Sequence, residues 1–163
     1  MNRLIAAAAA LMLAPAPLVA QTAAPQPPVV TAKAQGVLRL KSANDFDTTV
    51  ARIKADVAQK GVMLFNVIDQ QALADKAGIK LRRSTLILFG NPPLGIQFLT
   101  ANPVAGLDWP VRMLVSEDAD GTVWISWNDF GWIAKRYSIT NRKAQFEMAK
   151  MVSGSVAQAG ASR

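Results

Sequence analysis

A Gly-Asn-Pro-Pro segment at residues 90–93 is the best candidate in the sequence for ligand binding. It follows an apolar run, residues 85–89, that predicts a strand, and proline favours the start of a helix. Such a turn offers free backbone N–H groups and a positive dipole end, so Gly90 and Asn91 are candidates for holding a small anionic ligand. The alternative is that both only form a turn, with Gly90 at positive φ, because the Lys and second Gly of a phosphate loop are missing.

Asp108, Arg112 and Glu117 are further candidate ligand-binding residues. An Arg–carboxylate pair either binds a ligand bidentately or ties a loop to a strand, and both alternatives stay open. Together with the Gly90 turn, Asp108 and Arg112 define one function hypothesis, a small-molecule- or anion-binding protein or a modest enzyme. Because nothing in the sequence sets the distance between two carboxylates, no reaction follows, and catalysis is not the favoured alternative.

The chain contains no Cys and no His. Disulfides, thiolate metal sites and Cys nucleophiles are therefore excluded, as are Ser-His-Asp triads and every His-containing zinc site. The acidic run at residues 117–121 lacks the closing Glu of a calcium loop, so Asp120-Gly121 indicates a hairpin turn instead. We expect neither a metal nor a cofactor.

The first twenty residues predict a cleavable export signal. A short positive stretch precedes an apolar run at residues 4–13, which is too short to span a bilayer of about 30 Å as a helix. Small Ala20 predicts cleavage before Gln21, and residues 21–35 predict a disordered Pro/Ala-rich linker. We therefore expect a periplasmic or secreted protein, with no stable membrane insertion after cleavage.

The net charge of +7 implies solubility and weak attraction to anionic surfaces. A basic cluster near the C-terminus spans residues 135–150. A solvated helix surface explains it better than a nucleic-acid site, and no nucleic acid is expected as a partner; adhesion to anionic lipid is a further alternative.

Hydrophobic periodicity predicts one domain over residues 36–153 and a flexible tail over 154–163. Strands are predicted at residues 36–42, 62–68, 85–89, 111–116 and 122–127, and helices at 46–60, 70–77, 94–100, 131–138 and 141–152. We expect the strand at 62–68 to be largely buried. This order predicts an α+β fold, a mostly antiparallel sheet with helices on one face.

Two tryptophans of the predicted hairpin, Trp124 and Trp127, are candidate interface residues. Because side chains alternate along a strand, Trp127 shares a face with Val123 and Ile125, whereas Trp124 lies on the other face. Exposed aromatic surface marks interfaces. The favoured hypothesis is accordingly a non-catalytic binding or interaction module that forms homo-oligomers.

The stretch from Phe46 to about Ile139 resembles the family catalogued as domain of unknown function 302. The residues that carry the resemblance are Phe65-Asn66-Val67-Ile68-Asp69, Ala77-Gly78, Leu88-Phe89-Gly90-Asn91-Pro92, Leu107-Asp108-Trp109-Pro110-Val111-Arg112 and Glu117-Asp118. The resemblance implies a fold like the TATA-binding-protein class, β-α-β4-α with extra short helices, but no activity. Relatives carry His where this chain has Gln70, and often near Tyr137, which argues further against catalysis.

Overall fold

The computed structural model describes residues 31–163, with side chains from residue 35. The predicted export signal therefore lies outside the described residues, as does most of the predicted linker. The strands are β1 Thr31–Ala34, β2 Val37–Lys41, β3 Met63–Asp69, β4 Ser84–Gly90, β5 Val111–Glu117 and β6 Val123–Asn128. The helices are α1 Phe46–Gln59, α2 Gln70–Lys76, α3 Pro92–Ala101, a 3₁₀ helix Pro103–Asp108, α4 Phe130–Arg136 and α5 Lys143–Ala161.

The six strands form one antiparallel sheet in the order β1-β2-β6-β5-β4-β3. The predicted β5–β6 hairpin is confirmed, with Gly121 at φ +79° and the Asp118 N–H donating to the Thr122 carbonyl at 2.9 Å. Leaving out the short helices, the order from β2 to α5 is β-α-β4-α. The α+β class and the antiparallel sheet are thus confirmed, while the likeness to the TATA-binding-protein class stays a prediction.

One sheet face carries the main core. Burial alternates along β6 as the sequence predicts, and residues from four strands meet α1 and α5 on the buried face. The fully buried side chains there include Leu40, Ile53, Val57, Ile87, Phe89, Met113, Val115, Ile125 and Val156. A second core, built around Phe98, Phe130 and Phe146, joins α3, α4 and the start of α5.

Three features of the fold differ from the sequence expectations. Residues 31–34 of the predicted linker form β1 against β2. The strand at 62–68 is not largely buried: β3 is the outermost strand, and Met63 is 51% exposed. Apolar composition alone does not distinguish an edge strand from a central one.

The predicted flexible tail is the third difference, since α5 continues to Ala161. Its small residues predicted a frayed C-terminal end, yet Val156 and Ala157 are fully buried. A Cβ on Gly160 would lie 2.5 Å from Ile53 Cγ1, so the small side chains allow α5 to approach α1 closely. The last turns of α5 are therefore core.

Candidate functional site

A pocket of about 310 Å³ lies where the two cores meet. Its walls come from the ends of β4 and β5, from α3 and from α5, and they are almost entirely apolar. The lining residues are Lys60, Val62, Phe89, Gly90, Asn91, Leu94, Gly95, Phe98, Trp109, Val111, Phe130, Met148, Ala149 and Val152. Binding sites for small molecules are commonly apolar concavities of about this size with a few polar groups.

The Gly90-Asn91 turn forms one wall of this pocket, but it is not an anion cradle. Asn91 is the N-cap of α3, and its Oδ1 accepts the Leu94 N–H at 3.2 Å. The first two helix positions are Pro92 and Pro93, which have no N–H to offer. The expectation of free backbone donors at this turn is therefore wrong, because two are missing and the third is used by the cap.

Gly90 is required for space rather than for backbone conformation. It is not among the residues with positive φ, so that expectation is also wrong. A Cβ at Gly90 would lie 3.2 Å from Nε1 of Trp109, and one at Gly95 would lie 1.9 Å from the same atom. The two glycines thus form a seat for the Trp109 indole, which also meets the Phe65 ring edge-on at a centroid distance of 5.6 Å.

Polar groups are few in this pocket. Among the lining residues, Lys60 is the one that carries a charge, and its ammonium group pairs with Asp56. Asn91 contributes its amide, and Trp109 contributes an indole N–H that makes no hydrogen bond within the described part of the chain. A ligand here would meet apolar walls and, at most, a few hydrogen-bond donors.

Asp108 and Arg112 do not line this pocket. Leu88 pairs with Arg112 and Phe89 with Val111 across the sheet. Because Phe89 and Val111 face the pocket, Arg112 lies on the opposite face of the sheet.

Four donors surround the buried Asp108 carboxylate. Oδ1 accepts from Arg112 at 2.7 Å and from the Asn128 amide at 3.2 Å, and Oδ2 accepts from Tyr137 at 2.7 Å and from Arg136 at 3.2 Å. The Asp108 side chain is 5% exposed, whereas those of Arg112 and Arg136 are 41% and 46% exposed. We call these five residues the Asp108 cluster; it ties the 3₁₀ helix to β5, β6 and α4.

The cluster also changes the acidity of the single tyrosine in the chain. The hydrogen bond to Asp108, assisted by burial and by the negative charge of the carboxylate, raises the pKa of Tyr137 above its ordinary value. Asn128, Arg136 and Tyr137 were not predicted from the sequence as site residues. Nothing in their spacing indicates that α4 returns to Asp108.

Glu117 lies at the far end of β5 from Arg112. Its backbone N–H donates to the Arg83 carbonyl at 3.0 Å, and it pairs with Val123 in the hairpin. The five candidate ligand-binding residues therefore occupy three places: Gly90 and Asn91 at the pocket, Asp108 and Arg112 in the cluster, and Glu117 near the hairpin turn.

The two candidate interface tryptophans differ in accessibility. Trp127 is 4% exposed and packs in the main core, so it presents almost no surface to a partner. Trp124 lies on the opposite sheet face, where the Arg39 guanidinium stacks 4.0 Å from its ring centroid. Arg39 also pairs with Asp118 at 3.1 Å. An interface role for Trp124 stays a prediction.

The fold and the pocket define a small antiparallel α+β domain with an apolar concavity beside the Asn-Pro-Pro helix start. Residues 38–155 match the family described as "Domain of unknown function DUF302". The chain belongs to this family, as the sequence resemblance predicted. A solved structure described as an uncharacterized conserved DUF302 protein from Bacillus stearothermophilus is similar, with a TM-score of 0.69 at 13% identity over 77% of this chain and 98% of that one.

Curated relatives carry the name of an ion channel. The chain is 34% identical over 113 residues to "Fluoride-specific ion channel FluC 1" of Brucella suis biovar 1 (strain 1330), covering 69% of this chain and 44% of that protein. The protein of the same name from Brucella abortus biovar 1 (strain 9-941) matches at 34% identity and 42% of its length. The chain thus spans less than half the length of these relatives. Within residues 31–163, no helix combines the length and the apolar character needed to cross a membrane.

Proposed function

We propose that this protein is an exported, non-catalytic binding domain that takes a small apolar molecule into the pocket between its two cores. The observation that supports this most directly is the pocket itself, about 310 Å³ in volume and walled by Phe89, Phe98, Trp109 and other apolar residues. Filling such a pocket removes apolar surface from water, which contributes about 25 cal/mol per Å².

The chemistry of the walls restricts the ligand class. Among the lining residues there is no carboxylate, and Lys60 is already paired with Asp56. A cationic ligand would find no counter-charge there, and a highly polar one would lose hydration without compensation. An acyl chain or a small ring system with one polar end fits best, because Asn91 and the Trp109 N–H can accommodate that end.

The binding test uses sodium decanoate and decanol as probes of the same chain length. The expected result is a rise in melting temperature with either probe, since a ligand at 100 times its dissociation constant adds about 2.7 kcal/mol of stability. A larger rise with decanoate would indicate that the Lys60 ammonium takes part.

A matched pair of variants locates that binding. Met148 lines the pocket and is 51% exposed, whereas Met151, three residues along α5, is 69% exposed and lies outside the lining. Met148→Asp should abolish the thermal shift and Met151→Asp should preserve it. Equal shifts in both variants, or no shift with any probe in the unsubstituted protein, would refute the proposal.

Export is supported by the positive start and the apolar run at residues 4–13, followed by small Ala20. Mass spectrometry of the protein recovered from a periplasmic extract should find Gln21 at the N-terminus. Recovery of intact chain from the cytoplasm would contradict this part of the proposal.

A second candidate is binding of a small anion at the Asp108 cluster. Two half-exposed guanidinium groups, of Arg112 and Arg136, share one carboxylate, so the cluster carries a net positive charge. The fluoride channels among the relatives make fluoride the anion to test first. Calorimetric titration with fluoride and with chloride should give saturable heat for fluoride, which Arg136→Gln reduces; absence of saturable heat removes this candidate.

A further inference from the structure

The two edges of the sheet differ in length and charge, although each has one register shift, between Thr31 and Ala34 in β1 and between Leu64 and Asn66 in β3. β1 is four residues long and contains Lys33, and a short strand with a charged residue is a common protection against edge-to-edge pairing. β3 is seven residues long, and its first six residues carry neither a charge nor a proline. Met63, Leu64 and Phe65 on this strand are 51%, 40% and 42% exposed. Such an edge is a template for another strand.

The segment after β3 also carries exposed apolar side chains. α2 has no buried residue, and Leu73, Ile79 and Leu81 are 55%, 62% and 44% exposed. The three exposed residues of β3 are the apolar surface that a second strand along this edge would cover first.

Charge favours a second copy of the chain as the occupant. The chain carries a net charge of +7, so two copies repel each other across most of their surfaces. From Gly61 to Asp75 there is no Lys or Arg, and the two charged residues in that stretch are acidic. This stretch contains all of β3, so strand pairing at this edge brings no lysine or arginine of the strand itself against the partner, and Lys60 and Lys76 lie outside the paired strand.

We propose that β3 pairs with β3 of a second copy in antiparallel orientation about a two-fold axis near the middle of the strand. One twelve-stranded sheet then runs through the dimer. An antiparallel strand pair is self-complementary under a two-fold axis, so the same surface serves both copies. The Val67 N–H, which now donates to its neighbour Asn66 Oδ1 at 2.8 Å, is one donor that the partner strand can take over. This proposal is independent of the pocket.

Oligomeric state is the first test. The full-length chain should behave as a dimer by sedimentation velocity at concentrations from micromolar to millimolar. Asn66→Lys and Leu64→Lys should each give monomers, because the first places like charges opposite each other at the axis and the second places a charge within the apolar contact between the strands. Met151→Lys, an equally exposed change on α5, should leave the dimer intact. A monomeric parent protein, or a dimer that survives both β3 variants, would overturn the proposal.

Cross-linking is the second test, and the absence of cysteine makes it specific. Asn66→Cys should form a disulfide-linked dimer under mild oxidation, because residues opposite each other near the axis have Cα atoms within disulfide range, about 4.4–6.8 Å. Met151→Cys should stay reduced, and circular dichroism checks that all variants fold. A cross-link with Trp124→Cys but not with Asn66→Cys would assign the interface to the hairpin face and overturn the β3 assignment.

Discussion

The Asp108 cluster and the apolar pocket meet at the start of β5, where Arg112 belongs to the cluster and Val111 lines the pocket, and they differ in how their polar groups are satisfied. In the cluster, one carboxylate accepts from four donors and is almost inaccessible to solvent. In the pocket, Nε1 of Trp109 packs against Gly90 and Gly95 and makes no hydrogen bond within the described residues. In the part of the chain that the structure describes, the side chains most suggestive of chemistry thus hydrogen-bond to one another, whereas the apolar pocket is lined by residue types that the sequence associates only with packing.

The difference follows from what burial requires of each group. A buried carboxylate must be paired and hydrogen-bonded, so Asp108 accepts from four donors, and a ligand at the cluster would have to bind the exposed parts of Arg112 and Arg136. Apolar side chains have no such requirement, and a gap between two separately packed clusters remains open where neither can fill it. Substitutions in the two regions should accordingly fail in different ways.

Asp108→Ala should give the largest effect, a loss of about 3 kcal/mol in the free energy of unfolding. Removing one partner of a buried ion pair costs about 3–5 kcal/mol, and the half-exposed arginines place this case at the lower end. Urea denaturation measures the loss. Asp47→Ala is the control, because Asp47 pairs with Arg83 at the surface with its side chain 78% exposed, and it should change stability little. Equal effects of the two substitutions would mean that the cluster does not stabilise the fold.

Gly95→Ala should come next, with a loss of about 2 kcal/mol. The new methyl group would lie 1.9 Å from Trp109 Nε1, and overpacking of this kind typically costs about 1–3 kcal/mol. Gly154→Ala in α5 is a matched helical control with no atom within 4 Å of the added Cβ. It should instead raise stability by about 0.5–1 kcal/mol. A stabilising Gly95→Ala, measured by the same urea titration, would show that Trp109 does not sit on this glycine.

The elements of the fold could be predicted from the sequence where the pattern is local. The 2-residue alternation of β6, the Asp120-Gly121 turn and the helical spacing of α1 all report local geometry, and each is confirmed. The sequence predictions failed where burial and helix length depend on packing against elements that are distant in the sequence. Whether β3 is central or at the edge depends on sheet order, and whether the small residues of α5 fray depends on α1.

The candidate site shows the same division. Gly90 and Asn91 could be identified because a strand-to-helix turn is a local signal, and both line the pocket. Lys60, Gly95 and Met148 could not, since their proximity arises only from packing. The separation of Arg112 from Asn91 could have been anticipated in part, because strand alternation places Arg112 and Val111 on opposite faces once the register is known.

The smallest effect expected is a shift in the titration of Tyr137. Its raised pKa means that the folded state holds the phenolic proton more tightly than the unfolded state does. The resulting stabilisation is complete below the ordinary tyrosine pKa of about 10 and is lost as pH rises through the higher folded value. Because Tyr137 is the single tyrosine, tyrosinate absorbance during an alkaline titration reports it alone. Asp108→Asn should lower the midpoint, since it removes the negative charge that opposes ionisation. A native midpoint equal to that of the urea-unfolded chain would show that the hydrogen bond from Tyr137 to Asp108 is absent in solution, and the cluster would then hold Asp108 with fewer donors than described above.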